Sequence, residues 1–211
     1  MHIRHKIHGT NDPYENLDLL PEDLQGWASD APVFLEVIEK LKPKTIIEVG
    51  SWKGKSAVYM TQLALWNCDA RELEVVCVDT WLGSVEHWTD NGNVGFKNFM
   101  RNGRSRLYEQ FLSNVIHKKL QNNITPFPID SINAYEVFAK LGIVADLIYI
   151  DAGHDYHSVR NDLINWSKIL RPGGYLIGDD WFHQPIKNAA YDVFGEDKII
   201  PYGEDKFVWI K

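Results

Sequence analysis

Two cysteines in 211 residues are too few for a disulfide framework. Cys77 lies inside an apolar run and Cys68 at the end of a helical pattern, so free thiols in a reducing, cytoplasmic setting are expected. No apolar run approaches the length of a membrane span, and the first residues lack the pattern of a signal peptide. Positive charge is the scarcer sign. There are 22 Lys and Arg against 29 Asp and Glu, and the formal net charge of −7 argues against broad binding to nucleic acid or acidic membranes. Internal repeats and low-complexity tracts are absent too. What is left is an ordinary globular composition, long enough for one domain (1–211) with a full core.

Residues 1–43 read as a polar N-terminal arm followed by a helix over Pro32–Leu41, with Val33, Val37 and Leu41 on one face. The first fifteen residues are expected to be loosely attached. His2, His5 and His8 recur every third residue, a spacing that suits a metal only if the tail is held in place.

Regular alternation begins at Lys44. Strands are expected at Lys44–Val49, Leu73–Val78, Ile124–Ile129, Asp146–Ile150 and Tyr175–Gly178. Helices are expected at Lys53–Cys68, Asn133–Leu141, His157–Leu170 and around Ile186–Phe194. Arg171-Pro172-Gly173-Gly174 breaks the third of these. Lys198–Pro201 and Phe207–Ile210, separated by Tyr202-Gly203-Glu204-Asp205, suit an antiparallel hairpin. Alternating β and α units with apolar strands predict an α/β, doubly wound, Rossmann-like sheet with helices on both faces. One connection breaks the rhythm. The insertion 81–123 is rich in aromatics and is expected to form a lid above the C-terminal edge of the sheet.

The segment Glu48-Val49-Gly50-Ser51-Trp52-Lys53-Gly54-Lys55-Ser56 joins a strand to a helix through a glycine turn. Such turns hold charged small molecules at the helix N-terminus. A Walker-type loop needs four residues between its first glycine and Gly-Lys-Ser, and here there are three. A dinucleotide fingerprint needs glycine where Trp52 stands.

Glu48-x-Gly50-x-x-x-Gly54-x-Ser56, with Asp79 closing the next strand, resembles the class I S-adenosylmethionine (SAM)-dependent methyltransferases. That resemblance implies the strand order 3-2-1-4-5-7-6 with the last strand antiparallel, SAM as cofactor, and contacts from Glu48, Gly50, Ser51, Gly54, Lys55, Ser56, Trp81 and Asp151. Asp79 would accept the ribose hydroxyls, and the helix N-terminus near Lys55 and Ser56 would face a carboxylate. Asp130 and Ser131, following the third strand, would lie beside the adenine or serve only as a helix N-cap.

In that order the fourth and fifth strands are neighbours, and adjacent parallel strands lie ~4.8 Å apart. Asp151, Asp179 and Asp180 therefore converge, and a hard divalent cation such as Mg²⁺ would relieve their repulsion. Ile150-Asp151-Ala152-Gly153-His154, with Pro172-Gly173-Gly174 and Gly178-Asp179-Asp180, resembles metal-dependent O-methyltransferases of the catechol and macrolide-sugar types. By that resemblance Asp151, Asp179 and Asp180 bind the metal, and His154 is the general base. The implied partner is a small-molecule or sugar hydroxyl acceptor. Homo-oligomer formation stays open.

Trp52, Trp81, Trp88, Tyr156 and Trp181 fall in loops at this edge, as pocket walls or as core. Lys97, Arg101, Arg104, Arg106, Lys118 and Lys119 make the insertion basic, through an acidic substrate or a solvated face. The competing functions are a metal-independent N-methyltransferase, an ATPase-like nucleotide binder built on Gly54-Lys55-Ser56, and a non-catalytic binding module.

Overall fold

A computed structural model describes residues 2–67, 72–89 and 96–211. Cys68 and residues 90–95 of the insertion lie outside the described residues. In chain order the elements are α1 (Ile3–His8), α2 (Pro32–Leu41), β1 (Thr45–Val49), α3 (Lys55–Asn67), β2 (Glu74–Asp79), α4 (Val85–Thr89), β3 (Met100–Arg101), β4 (Arg104–Ser105) and α5 (Leu107–His117). They continue as β5 (Ile124–Pro128), α6 (Ser131–Lys140), β6 (Ala145–Ile150), α7 (Tyr156–Ile169), β7 (Leu170–Gly178), α8 (Gln184–Phe194), β8 (Ile200–Tyr202) and β9 (Lys206–Ile210).

Seven strands form one sheet in the order β5-β2-β1-β6-β7-β9-β8, with β3 and β4 a separate two-stranded ribbon. Without that ribbon this is the expected order. The pairs from β5 to β7 are parallel, and β9 runs antiparallel to both β7 and β8. Successive side chains of a strand point to opposite faces, and both faces here are apolar. Ile46, Val75, Cys77, Leu147 and Tyr149 pack against Phe34, Met60 and Phe111 on one side. Ile47, Val76, Ile148 and Leu176 pack against Phe138, Leu163 and Trp166 on the other. The ends of β1, β2, β6 and β7 thus come to one edge, each followed by a loop with a polar residue. No helix among the described residues is long and apolar enough to cross a membrane.

Three expectations need correction. The N-terminal arm is docked. Ile3 is buried, the Arg4 guanidinium donates to the carbonyls of Gln121 and Ile124, and Tyr14 Oη donates to Ile124 O at 2.9 Å. These groups take up carbonyls at the C-terminal side of α5 and along β5, an edge strand whose polar backbone would otherwise be open. They also leave the histidines outside any metal-capable cluster found among the described residues. His2 faces Glu74 and His8 faces the Pro126 carbonyl, so the spacing of three residues makes no metal site.

Second, the strand expected at Tyr175–Gly178 starts earlier, although the helix ends before Arg171-Pro172-Gly173-Gly174 as expected. Leu170 pairs with Ala145, and β7 runs through the glycines past a register shift. Third, only part of the insertion reaches the sheet edge. α5 buries Phe111, Leu112 and Val115 as an ordinary core helix, and none of the six basic residues lines the cavity described below.

Candidate active site

The loop after β1 is shaped by one glycine. Gly50 has φ +87°, and a Cβ there would lie 1.8 Å from the Asp151 carbonyl oxygen. A glycine is therefore required for the β1 and β6 loops to touch. Trp52 adopts φ +47° without being glycine, as do Trp81 at +52° and Asp180 at +55°. Left-handed backbone at a bulky residue costs of order 1–3 kcal/mol and collects at functional sites. The dinucleotide fingerprint's middle glycine is thus replaced by a tryptophan held in the conformation a glycine would take.

What holds Trp52 is visible. Its backbone N–H and that of Ser51 donate to Asp79 Oδ2 at 3.0 and 2.9 Å, and its indole Nε1 donates to Gln25 Oε1 at 2.9 Å. Trp81 donates from its backbone to Asp79 Oδ1 at 2.7 Å and from its indole to Trp52 O at 2.8 Å. Burial raises the Asp79 pKa, and these three backbone donors only partly offset it.

A cavity of about 480 Å³ opens above this loop. Gly50, Ser51, Lys55, Ser56, Asp79, Asp130, Ser131, Asp151, His154, Asp179 and Asp180 all line it. Three residues assigned to the cofactor do not. Glu48 is fully buried beneath the loop, where its Oε1 accepts Ser56 Oγ at 2.5 Å. Removal from water pushes its pKa up to about 7. Gly54 turns the chain into α3 against the Phe111 ring. Trp81 is core, packed on Tyr108 and Phe111. Of the five edge aromatics, only Trp52 is a cavity wall.

Asp130 caps α6 by accepting Asn133 N–H at 3.0 Å, and it lines the cavity as well. Ser131 donates to Asp162 and accepts from Trp166 Nε1 at 2.8 Å.

The acids form a second group on the cavity wall. Asp151, His154 and Asp180 offer ligand atoms within 4.8 Å of one another. His154 Nε2 lies 3.0 Å from Asp180 Oδ2. The hydrogen bond to Asp180 is the main cause of the raised His154 pKa. Burial works against the Asp180 carboxylate, but the His154 bond and charge outweigh it, and its pKa is lowered. The Asp151 pKa is raised well above the usual range, first by burial and then by the charges of Asp179 and Asp180.

Asp179 differs from the expected ligand set. Its Oδ1 meets Lys206 Nζ at 2.5 Å and its Oδ2 accepts Tyr149 Oη at 2.5 Å. Both carboxylate oxygens are engaged with core groups, because Lys206 of β9 lies directly alongside the end of β7. The donor set the structure brings together is Asp151, His154 and Asp180, with Asp179 replaced by the histidine. Two carboxylates and an imidazole fit a divalent cation, whose charge would offset the repulsion among the clustered acids.

Sequence reasoning missed two walls. Gln25, Gly26, Trp27 and Ser29 reach the cavity from a strap that Asn114 pins, donating to Asp23 O at 2.7 Å and Lys53 O at 2.8 Å. Ser84, Glu86 and His87 reach it from α4 and the turn before it. The strap carries no motif, whereas the position of α4 directly after Asp79 was a usable signal.

A seven-stranded sheet of this order, with a glycine turn after β1 and an acid closing β2, defines a class I SAM-dependent methyltransferase. Residues 47–181 match the family described as "Methyltransferase domain", and the chain belongs to that family. Solved structures of similar fold include an O-methyltransferase from Bacillus cereus in complex with SAH, at TM-score 0.58 and 15% identity, covering 92% of this chain and 84% of that one. The O-methyltransferase NovP aligns at TM-score 0.61 and 20% identity, over 85% of this chain and 76% of NovP. TomG from Streptomyces achromogenes, solved with SAM, aligns at TM-score 0.62 and 10% identity, over 90% of this chain and 82% of TomG. At such identities the likeness establishes the fold. Among curated proteins, "Uncharacterized protein y4gI" of Sinorhizobium fredii (strain NBRC 101917 / NGR234) is 26% identical over 156 residues. That stretch is 73% of this chain, and the chain spans only 15% of that relative's length.

Proposed function

We propose that the protein transfers a methyl group from SAM to a hydroxyl of a small-molecule acceptor. The observation that carries this reading is one cavity lined both by Asp79 and the Gly50–Trp52 turn and by the cluster of Asp151, His154 and Asp180. The turn and Asp79 suit a nucleoside and an amino-acid carboxylate. Asp79 accepts hydroxyl protons, and Lys55 with the N-terminus of α3 attracts the carboxylate. The His154 cluster suits proton removal. His154 accepts the proton of the acceptor hydroxyl, and Asp180 orients the ring and stabilises the imidazolium. The oxygen then attacks the methyl carbon in line as the carbon–sulfur bond breaks and the neutral thioether leaves, a step governed by alignment. Trp52 offers a ring face to a sulfonium.

A divalent cation such as Mg²⁺ would be held by Asp151 and Asp180, with His154 within reach. When bound, it would lower the pKa of the acceptor hydroxyl. Lys206 favours a second reading, a methyltransferase that needs no metal, because it already supplies one positive charge beside Asp179. The buried free thiol of Cys77 fits a cytoplasmic location.

The test is transfer of labelled methyl from SAM to a panel of hydroxylated and amino acceptors, with and without a strong chelator. The expected result is transfer to hydroxyls, lowered ~10²–10⁴-fold by His154→Ala. Loss of activity in the chelator supports the cation, and full activity supports the second reading. Transfer to amines alone contradicts the proposal.

A further inference from the structure

His87 is a cavity residue whose ring is fixed on two sides. The Ser84 backbone N–H lies 2.9 Å from His87 Nδ1, and Ser84 Oγ lies 2.8 Å from the same nitrogen. A backbone N–H can only donate, so Nδ1 carries no proton and the ring proton sits on Nε2. Burial lowers the pKa of this imidazole, which keeps it neutral. The ring also lies flat on Trp52, with centroids 4.4 Å apart and planes 14° from parallel.

These contacts fix where the free N–H sits. The Trp52 backbone N–H bonds Asp79 Oδ2 at 3.0 Å while its indole stacks on His87, so His87, Trp52 and Asp79 adjoin on one wall of the cavity. His87 Nε2 has no hydrogen-bond partner among the described residues. A ribose hydroxyl both donates and accepts, whereas an ionised carboxylate only accepts. Asp79 can take the hydroxyl protons but cannot supply any, and its oxygens are already shared with three backbone donors.

We propose that His87 binds the cofactor's ribose by donating a hydrogen bond from Nε2 to a ribose oxygen, the counterpart to the accepting Asp79. The proposal rests on the SAM reading above. It makes the turn between β2 and α4, through Ser84, part of the cofactor site, because Ser84 sets the tautomer that leaves Nε2–H pointing outward from the Ser84 contact.

The test compares S-adenosylhomocysteine with 5′-methylthioadenosine, which keeps the ribose and adenine but lacks the amino-acid part. His87→Phe keeps a flat ring for Trp52 and removes the donor. It should weaken both ligands by the same factor, roughly 3- to 10-fold, as expected for one neutral hydrogen bond. In the wild type, ring ¹⁵N spectra should show Nε2 protonated and Nδ1 bare, with the Nε2–H signal shifted on adding either ligand. That measurement stands if the variant fails to fold. Unchanged affinity of His87→Phe, a loss for S-adenosylhomocysteine alone, or an Nε2–H signal indifferent to both ligands overturns the proposal. If the wild type bound neither ligand, the methyltransferase reading itself would fail.

Discussion

Lys206 Nζ meets Asp179 Oδ1 at 2.5 Å inside the fold, with the lysine side chain 1% exposed. The pair lies beneath the acid cluster, and Tyr149 Oη links it onward to Asp151 Oδ2 at 3.1 Å. Removing one partner of a buried pair leaves an uncompensated charge, whereas removing both does not. Lys206→Met should therefore destabilise the protein by about 3–5 kcal/mol, and the double variant Lys206→Met/Asp179→Leu should recover most of that loss. Urea unfolding of the wild type, the two single variants and the double variant reads this directly. Additive losses in the double variant would mean that the pair is not coupled.

The buried Glu48 carboxyl makes stability depend on pH. Its pKa is about 7 in the fold, against an ordinary value of 4.5. The folded state thus holds a proton that the unfolded chain releases first. Stability is full below the unfolded pKa and falls as pH rises from about 4.5 to about 7, by a total of about 3 kcal/mol. Glu48→Gln cannot ionise and should escape this loss. Its melting temperature relative to wild type should be higher at pH 8 than at pH 4.5. A pH-independent difference would contradict the burial account.

Asp79 serves the loop and, in the proposed function, the cofactor. Asp79→Ala should weaken SAM binding by roughly 1.5–3 kcal/mol, the scale for hydrogen bonds to a charged group. It should also lower the melting temperature without ligand, because the N–H groups of Ser51, Trp52 and Trp81 lose their acceptor. Calorimetry and a thermal melt on the same sample check both effects. A stability loss with unchanged affinity would reduce Asp79 to a loop anchor.

His154 must be neutral to accept a proton. Its raised pKa, caused chiefly by the Asp180 hydrogen bond, places the acid limb of the rate profile above an ordinary histidine's. Activity should rise as pH passes upward through that limb. Asp180→Asn removes the main cause and should move the limb to lower pH while also slowing the reaction. Profiles of the wild type and Asp180→Asn measured at one saturating divalent-cation concentration decide this. An unshifted limb would remove the His154–Asp180 pair from proton transfer.

Much of the fold was legible because its strands are apolar runs closed by acids, and periodicity with glycine turns marks both. The strand order came from the resemblance, since parallel pairing leaves no local signature. The direction of each carboxylate was not legible. Asp179 and Asp180 are adjacent in sequence, yet one turns to Lys206 and the other to His154. That choice depends on a lysine that the hairpin brings back 27 residues later. Glu48 was read as a ligand contact for a similar reason, since a strand's period places it beneath the loop against Ser56, facing α3 rather than the cavity. The strap at Gln25–Ser29 reaches the cavity through contacts with Asn114 in α5, which no local pattern announces.

The most direct test of the whole account is calorimetric titration of the wild-type protein with SAM and S-adenosylhomocysteine, repeated with saturating ATP present. Saturable binding of both adenosyl ligands at one site per chain, undisturbed by ATP, is the predicted result. Tight ATP binding with no heat from either adenosyl ligand would contradict it.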